Sequence, residues 1–195
     1  MSRRPALAAL ALSTFLLLPG SALAQDRADA RDWLARCDEW GDRRTERHCE
    51  LREETITLPG RSLRVSARPN GGVTVTGWDR REVLVRAKIQ AWARTEEGAR
   101  SLASGVTVAM SGGVVESSGP RTRDREGWSV SFEIFAPRDL DLDLESTNGG
   151  LRVIDVSGTI GLETTNGGIT LAGVGGDVRR RTTNGGGTVA LAGGG

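Results

Sequence analysis

A chain of 195 residues with 26 Lys and Arg against 25 Asp and Glu is close to electrical neutrality. That balance argues against a nucleic-acid binder, which needs a net basic face. With 27 Gly, three Phe and no Tyr, many turns are expected rather than a large aromatic core, and no segment after residue 24 approaches the roughly 20 apolar residues of a membrane span.

Residues 1–24 have the layout of a secretory signal. Arg3 and Arg4 give the positive start, Ala6 to Leu18 the apolar run, and Ala22-Leu23-Ala24 a small-residue cleavage site before Gln25. The Arg pair also begins a twin-arginine signal, but Pro5-Ala6 stand where a Phe would strengthen it, so ordinary secretion is the reading. No Cys follows the cleavage site, so no lipid anchor is expected there. Removing the signal takes two Arg and no acid, which leaves 24 basic and 25 acidic side chains and a charge of −1. The expected location is outside the cytoplasm: periplasm, outer surface or secreted, with no transmembrane segment in the mature chain.

Residues 25–50 read as an N-terminal helical segment. Over 26–40 the apolar residues Trp33, Leu34, Cys37 and Trp40 fall on one stripe of a charged helix. Cys37 and Cys49 are the only cysteines. In an exported chain an even pair is most simply a disulfide. The rival is a metal site with His48, but two thiols and one imidazole fall short of the four ligands of a structural zinc site.

Residues 51–195 read as a β domain. Strand is expected over 51–66, broken by the Pro59-Gly60 turn. Asn70-Gly71-Gly72 is a turn, and Val73 to Thr76 and Val83 to Val85 are strands on either side of Asp79-Arg80-Arg81. The one mid-chain helix is predicted over 95–104, capped by Thr95, with Glu96 and Glu97 at its positive end. Strands resume at Val106 to Val108 and at Val114-Val115, and a charged loop runs from Arg121 to Gly127. From Trp128 to Phe135 the pattern alternates, with Trp128, Val130, Phe132 and Ile134 on one face.

Thr-Asn-Gly-Gly then occurs three times, at 147–150, 165–168 and 183–186, with flanking apolar positions matching in each unit. The 18-residue period predicts a β-solenoid or β-helix-like stack of short strands in an all-β protein. The turn residues are Asn148-Gly149, Asn166-Gly167 and Asn184-Gly185, where glycine is expected to enter positive φ and the amides to bond along the stack. A meander of hairpins is the other reading, since Asn-Gly is also a hairpin turn. The chain reaches Gly193-Gly194-Gly195 partway through a third unit, so a fragment of a longer stack is expected.

These features resemble a bacterial family of adhesin-like domains of unknown function with Gly-rich β repeats. The resemblance is carried by His48-Cys49-Glu50-Leu51-Arg52-Glu53, Pro69-Asn70-Gly71-Gly72-Val73, Gly77-Trp78-Asp79 and the three Thr-Asn-Gly-Gly turns. It covers the chain from about Cys37 onward, implies more such units beyond it, and brings no catalytic residues.

Three constellations bear on chemistry. His48, the sole histidine, reads as a solvated loop residue. Asp139, Asp141, Asp143 and Glu145 alternate with leucines, which puts four carboxylates on one strand face. They read as a solvated face that discourages edge pairing rather than a Ca²⁺ or glycan-facing row or a glycosidase pair. Arg179-Arg180-Arg181 reads as a solvated basic run rather than a site for an anionic polysaccharide or lipid headgroup. No catalytic residue, cofactor or metal is expected. The function expected is that of a non-enzymatic exported cell-envelope protein, an adhesin or scaffold acting through its β-repeat surfaces. Its partner is unknown; a cell-surface glycan or an envelope protein fits, a nucleic acid does not. The alternatives are a carbohydrate-active enzyme on a β-solenoid and a periplasmic sensor module.

Overall fold

The computed structural model describes residues 30–35, 37 and 44–191. The segment read as an export signal, the cleavage site before Gln25, parts of the helix read over 26–40, and Gly193 to Gly195 lie outside them. The described chain is mostly β, with helix at residues 30–35 (α1) and at Glu96–Ser104 (α2).

Twelve strands follow in chain order. They are β1 (Glu46–Ile56), β2 (Ser62–Ser66), β3 (Val73–Trp78), β4 (Val83–Ala93), β5 (Thr107–Ser111) and β6 (Val114–Ser118). Then come β7 (Gly127–Pro137), β8 (Asp141–Asn148), β9 (Leu151–Ile154), β10 (Ser157–Asn166), β11 (Ile169–Asn184) and β12 (Gly187–Leu191). They hydrogen-bond in the order β1-β4-β7-β3-β9-β11-β10-β8-β2-β6-β5, with β12 also on β11. β11 is shared. Its residues 169–172 pair with β9, and its residues 175–184 pair with β10.

The repeat units pair in parallel and in register. Thr164 lies opposite Thr182 on one side and Ser146 on the other, and Asn166 lies between Asn184 and Asn148. Ile169 lies between Leu151 and Gly187. Hairpins would pair these units antiparallel.

A further member precedes the three copies. Asn70 bridges to Asn148, 78 residues away, and Val73 pairs with Leu151. β2, the Asn70-Gly71-Gly72 corner and β3 thus repeat the layout of β8, Asn148-Gly149-Gly150 and β9. Among the described residues four corners of this layout pair in register, and residues 79–138 lie between the first and the second. That insertion covers the first rung: β7 lies parallel beside β3, and β6 parallel beside β2.

Alternation explains the core. In the strands around the stack, Leu63, Val65, Leu142, Leu144, Ile160 and Leu162 face Val73, Val75, Leu151, Val153, Ile169 and Leu171, all buried. Each such side chain contributes about 1.5–3 kcal/mol of burial. α2 packs Ala99 and Ala103 against the sheet, and Thr95 Oγ1 accepts from the Gly98 amide at 3.1 Å, the predicted cap.

Several elements differ from expectation. Strand begins at Glu46 rather than at Leu51, so His48 sits within a strand, paired with Ala91, and not in a loop. β8 starts at Asp141, and Asp139 makes only an isolated bridge to Ser157. Gly149, Gly167 and Gly185 are not among the described glycines with positive φ, which are Gly71, Gly112, Gly113, Gly158, Gly173 and Gly176. Glycine is required at these three corners for another reason. A Cβ on Gly167 would overlap the carbonyl of Gly149, and one on Gly185 would overlap that of Gly167.

Candidate binding surface

The corners carry three parallel ladders, following from Ser-Thr-Asn-Gly-Gly at 146–150 and Thr-Thr-Asn-Gly-Gly at 164–168 and 182–186 on strands of period two. The residue two before each Asn points inward, and its hydroxyl donates to a glycine carbonyl of the rung below. Ser146 donates to Gly71 at 2.8 Å, Thr164 to Gly149 at 3.0 Å and Thr182 to Gly167 at 3.1 Å. The next residues, Thr147, Thr165 and Thr183, lie on the outer face, Thr165 and Thr183 exposed. The asparagines join side chain to side chain. Nδ2 of Asn184 donates to Asn166 at 2.8 Å, Asn166 to Asn148 at 2.7 Å and Asn148 to Asn70 at 2.8 Å. Successive rungs therefore present the same polar groups at one strand spacing, roughly 4.8 Å.

The acidic row of β8 is engaged within the sheet. Asp141 accepts from the Thr159 amide at 2.7 Å, Asp143 from Arg64 Nε at 3.0 Å, and Glu145 lies 3.5 Å from Arg68. These carboxylates tie neighbouring strands together. Among the described residues no group of three or more His, Cys, Asp or Glu is placed to hold a metal ion.

Strand geometry splits the basic run. Arg179 and Arg181 face outward, with Arg179 paired to Asp177 at 3.0 Å. Arg180 lies opposite Leu162, at an inward position, and reaches over Gly187. All three are nonetheless exposed, and together they line one pocket with Asp143 and Glu163.

Cys37 and Cys49 form a disulfide, with Cα atoms 6.2 Å apart. It holds α1 over the outer face of β4. Lys88 Nζ donates to the Trp33 carbonyl at 3.2 Å and sits 4.8 Å above the Trp33 ring, and Gln90 Nε2 donates to the Cys37 carbonyl at 3.4 Å. Beside it, Arg86 lies in register between Glu53 and Glu133 and bonds both, at 2.7 and 3.1 Å. Its burial alone would lower its pKa, but bonding to and attraction by the two carboxylates raise it above the ordinary value.

Reading the sequence alone missed the Arg86 pair, the first corner and a groove beside that corner. The first corner had a usable signal. Asn70-Gly71-Gly72-Val73-Thr74-Val75 has the same pattern as Asn148-Gly149-Gly150-Leu151-Arg152-Val153. The groove, of about 610 Å³, is lined by residues from Arg68 to Asn70 and from Ser117 to Thr122, with Trp128 and Thr147. Its parts lie far apart in sequence, and only the insertion of 79–138 brings them together.

No family model and no curated protein matches the chain. Solved structures that resemble it include a candidate cell adhesion protein from Clostridium sporogenes, with 10% identity, 74% of this chain and 100% of that chain covered, and a TM-score of 0.35. A candidate adhesin from Parabacteroides distasonis has 10% identity, 73% and 97% covered, and a TM-score of 0.30. A candidate lipid-binding protein from the same species has 11% identity, 73% of each chain covered, and a TM-score of 0.31.

Proposed function

We propose that this chain is a non-enzymatic, exported cell-envelope protein whose β-repeat units form a solenoid and whose work is surface presentation, as an adhesin or scaffold. The observation that carries this reading is the in-register corner, in which hydroxyl, amide and glycine ladders repeat rung after rung. Such a stack yields a stiff, regular surface, and stacked-repeat proteins bind through surfaces of this kind. The β8 carboxylates serve as acceptors for neighbouring strands, which supports presentation over acid–base chemistry on a glycan. The Cys37–Cys49 disulfide suits an oxidising compartment, in keeping with the export signal read over 1–24.

The test is a saturable-binding measurement with labelled exported protein on bacterial envelope preparations, alongside a screen for release of reducing sugar from envelope glycans. The expected result is saturable binding without turnover. Sugar release at a rate proportional to protein, or binding that never saturates, would overturn the reading.

A further inference from the structure

The groove beside the first corner is built rather than incidental. One wall is the Arg68-Pro69-Asn70 segment, the other the end of β6 and the residues after it, 117–122, and Trp128 lies between them. Three bonds fix their spacing. Ser117 Oγ donates to the Arg68 carbonyl at 3.3 Å, Trp128 Nε1 to the Pro120 carbonyl at 2.9 Å, and Asn70 Nδ2 to the Trp128 carbonyl at 3.4 Å. Gly119 rests on the Trp128 indole so closely that a Cβ there would lie 2.7 Å from a ring carbon.

The charge of the groove is one-sided. In a chain with nearly equal acid and base, two arginines and no carboxylate line it. Glu145 reaches Arg68 from the flank at 3.5 Å. Arg121 is exposed and has no ion pair among the described residues. The remaining lining groups include the hydroxyls of Ser118, Thr122 and Thr147.

We propose that this groove binds an acidic saccharide, with Arg121 and Arg68 meeting its carboxylate or sulfate. A guanidinium offers a planar fork that matches either anion with two parallel hydrogen bonds. The three hydroxyls exchange hydrogen bonds with sugar hydroxyls, and the groove's size falls within the usual 300–1,000 Å³ or so of ligand sites. An extended acidic peptide fits less well. β2 is paired on both sides, by β6 and β8, and β7 by β3 and β4, so neither offers a free backbone edge for strand addition. Thr147 belongs to both the groove and the corner, and Thr165 and Thr183 follow it on the same face, giving a longer saccharide a hydroxyl track along the stack. The inference rests on the surface-presentation reading for the source of the sugar, a glycan of an envelope.

Calorimetry on the exported protein at low ionic strength tests this. The probes are oligogalacturonate for carboxylate, a sulfated glycosaminoglycan oligosaccharide for sulfate, maltohexaose as the neutral sugar, polyglutamate and inorganic phosphate. At least one acidic saccharide should bind, and maltohexaose should not. Arg121→Gln should weaken that binding about tenfold, in line with the loss of a charged hydrogen bond. Arg81→Gln, at an exposed arginine outside the groove, should leave it unchanged. The groove assignment falls if neither acidic saccharide binds or if the two variants lose equally. It also falls if polyglutamate binds more tightly than both saccharides, or if phosphate alone matches their affinity. Envelope binding without affinity for any acidic saccharide would sink the groove and leave the presentation reading standing. Saccharide binding without envelope binding would do the reverse.

Discussion

At the residue scale, the glycines of the corners are set by contact rather than by torsion. Gly167 has no positive φ, yet the Gly149 carbonyl occupies the space its Cβ would need. Gly167→Ala should therefore destabilise by about 1–3 kcal/mol, the range of a forced backbone shift in a packed site. Asn166→Ala removes one donated and one accepted ladder bond. Those groups are exposed and can turn to water, so the loss should stay near 1 kcal/mol. Urea midpoints of both variants decide it, and a neutral Gly167→Ala would contradict the close stacking of rungs. Arg86 is the other decisive residue. Its side chain is 2% exposed, while those of Glu53 and Glu133 are 46% and 29% exposed. Arg86→Met leaves two carboxylates facing each other across a vacated site. Breaking a fully buried pair costs about 3–5 kcal/mol, and because these carboxylates can rehydrate, the expected loss is roughly 2–3 kcal/mol by the same reasoning. Glu53→Gln, which keeps a hydrogen-bonding group at the half-exposed partner, should cost about 1 kcal/mol or less. Similar losses for the two variants would show that Arg86 acts by packing and not by charge.

At the element scale, the sequence made some features plain and hid others. The α2 helix was legible because its cap, its acidic first turn and its length are all local. β7 was legible because Trp128, Val130, Phe132 and Ile134 alternate with polar residues. The start of β1 was not. Glu46 to Glu50 is mostly polar, exposed at Glu46 and half-buried after it, and these residues are strand because β4 is there to pair with them. α1 is a further case of tertiary support. It is held by the disulfide and by Lys88 and Gln90. Closing that short loop is worth about 3 kcal/mol on the chain-entropy model. In Cys37→Ser/Cys49→Ser, the amides of 30–35 should lose hydrogen-exchange protection and Lys88 should become reactive to acylating reagents, while β4 keeps its protection. Loss of protection in β4 as well would mean that α1 is part of the core and not a tethered cover.

At the scale of the whole molecule, the repeat was legible in the three corners spaced by 18 residues, but not in the first. A 78-residue interval and Pro69 in place of Thr conceal the relation of Asn70 to Asn148. What hides the first rung also explains how the fold begins. Residues 79–138 leave the stack after β3, lay β6 and β7 along the two strands of the first rung, and return at β8. The insertion and the stack thus share one core, with Phe132 of β7 opposite both Val73 and Ala87. Repeat stacks transmit stability between neighbours, so damage at this junction should spread. Phe132 is 2% exposed, and Phe132→Ala should cost about 3–5 kcal/mol as a large cavity in a packed site. The informative readout is where the loss falls. If insertion and stack form one cooperative unit, native-state hydrogen exchange should show β7, β3, β9 and β10 losing protection by similar amounts. If β10 keeps wild-type protection while β7 and β4 lose theirs, the stack is an independent folding unit. The first rung would then be a docking surface for the insertion and not the base on which the later rungs are built.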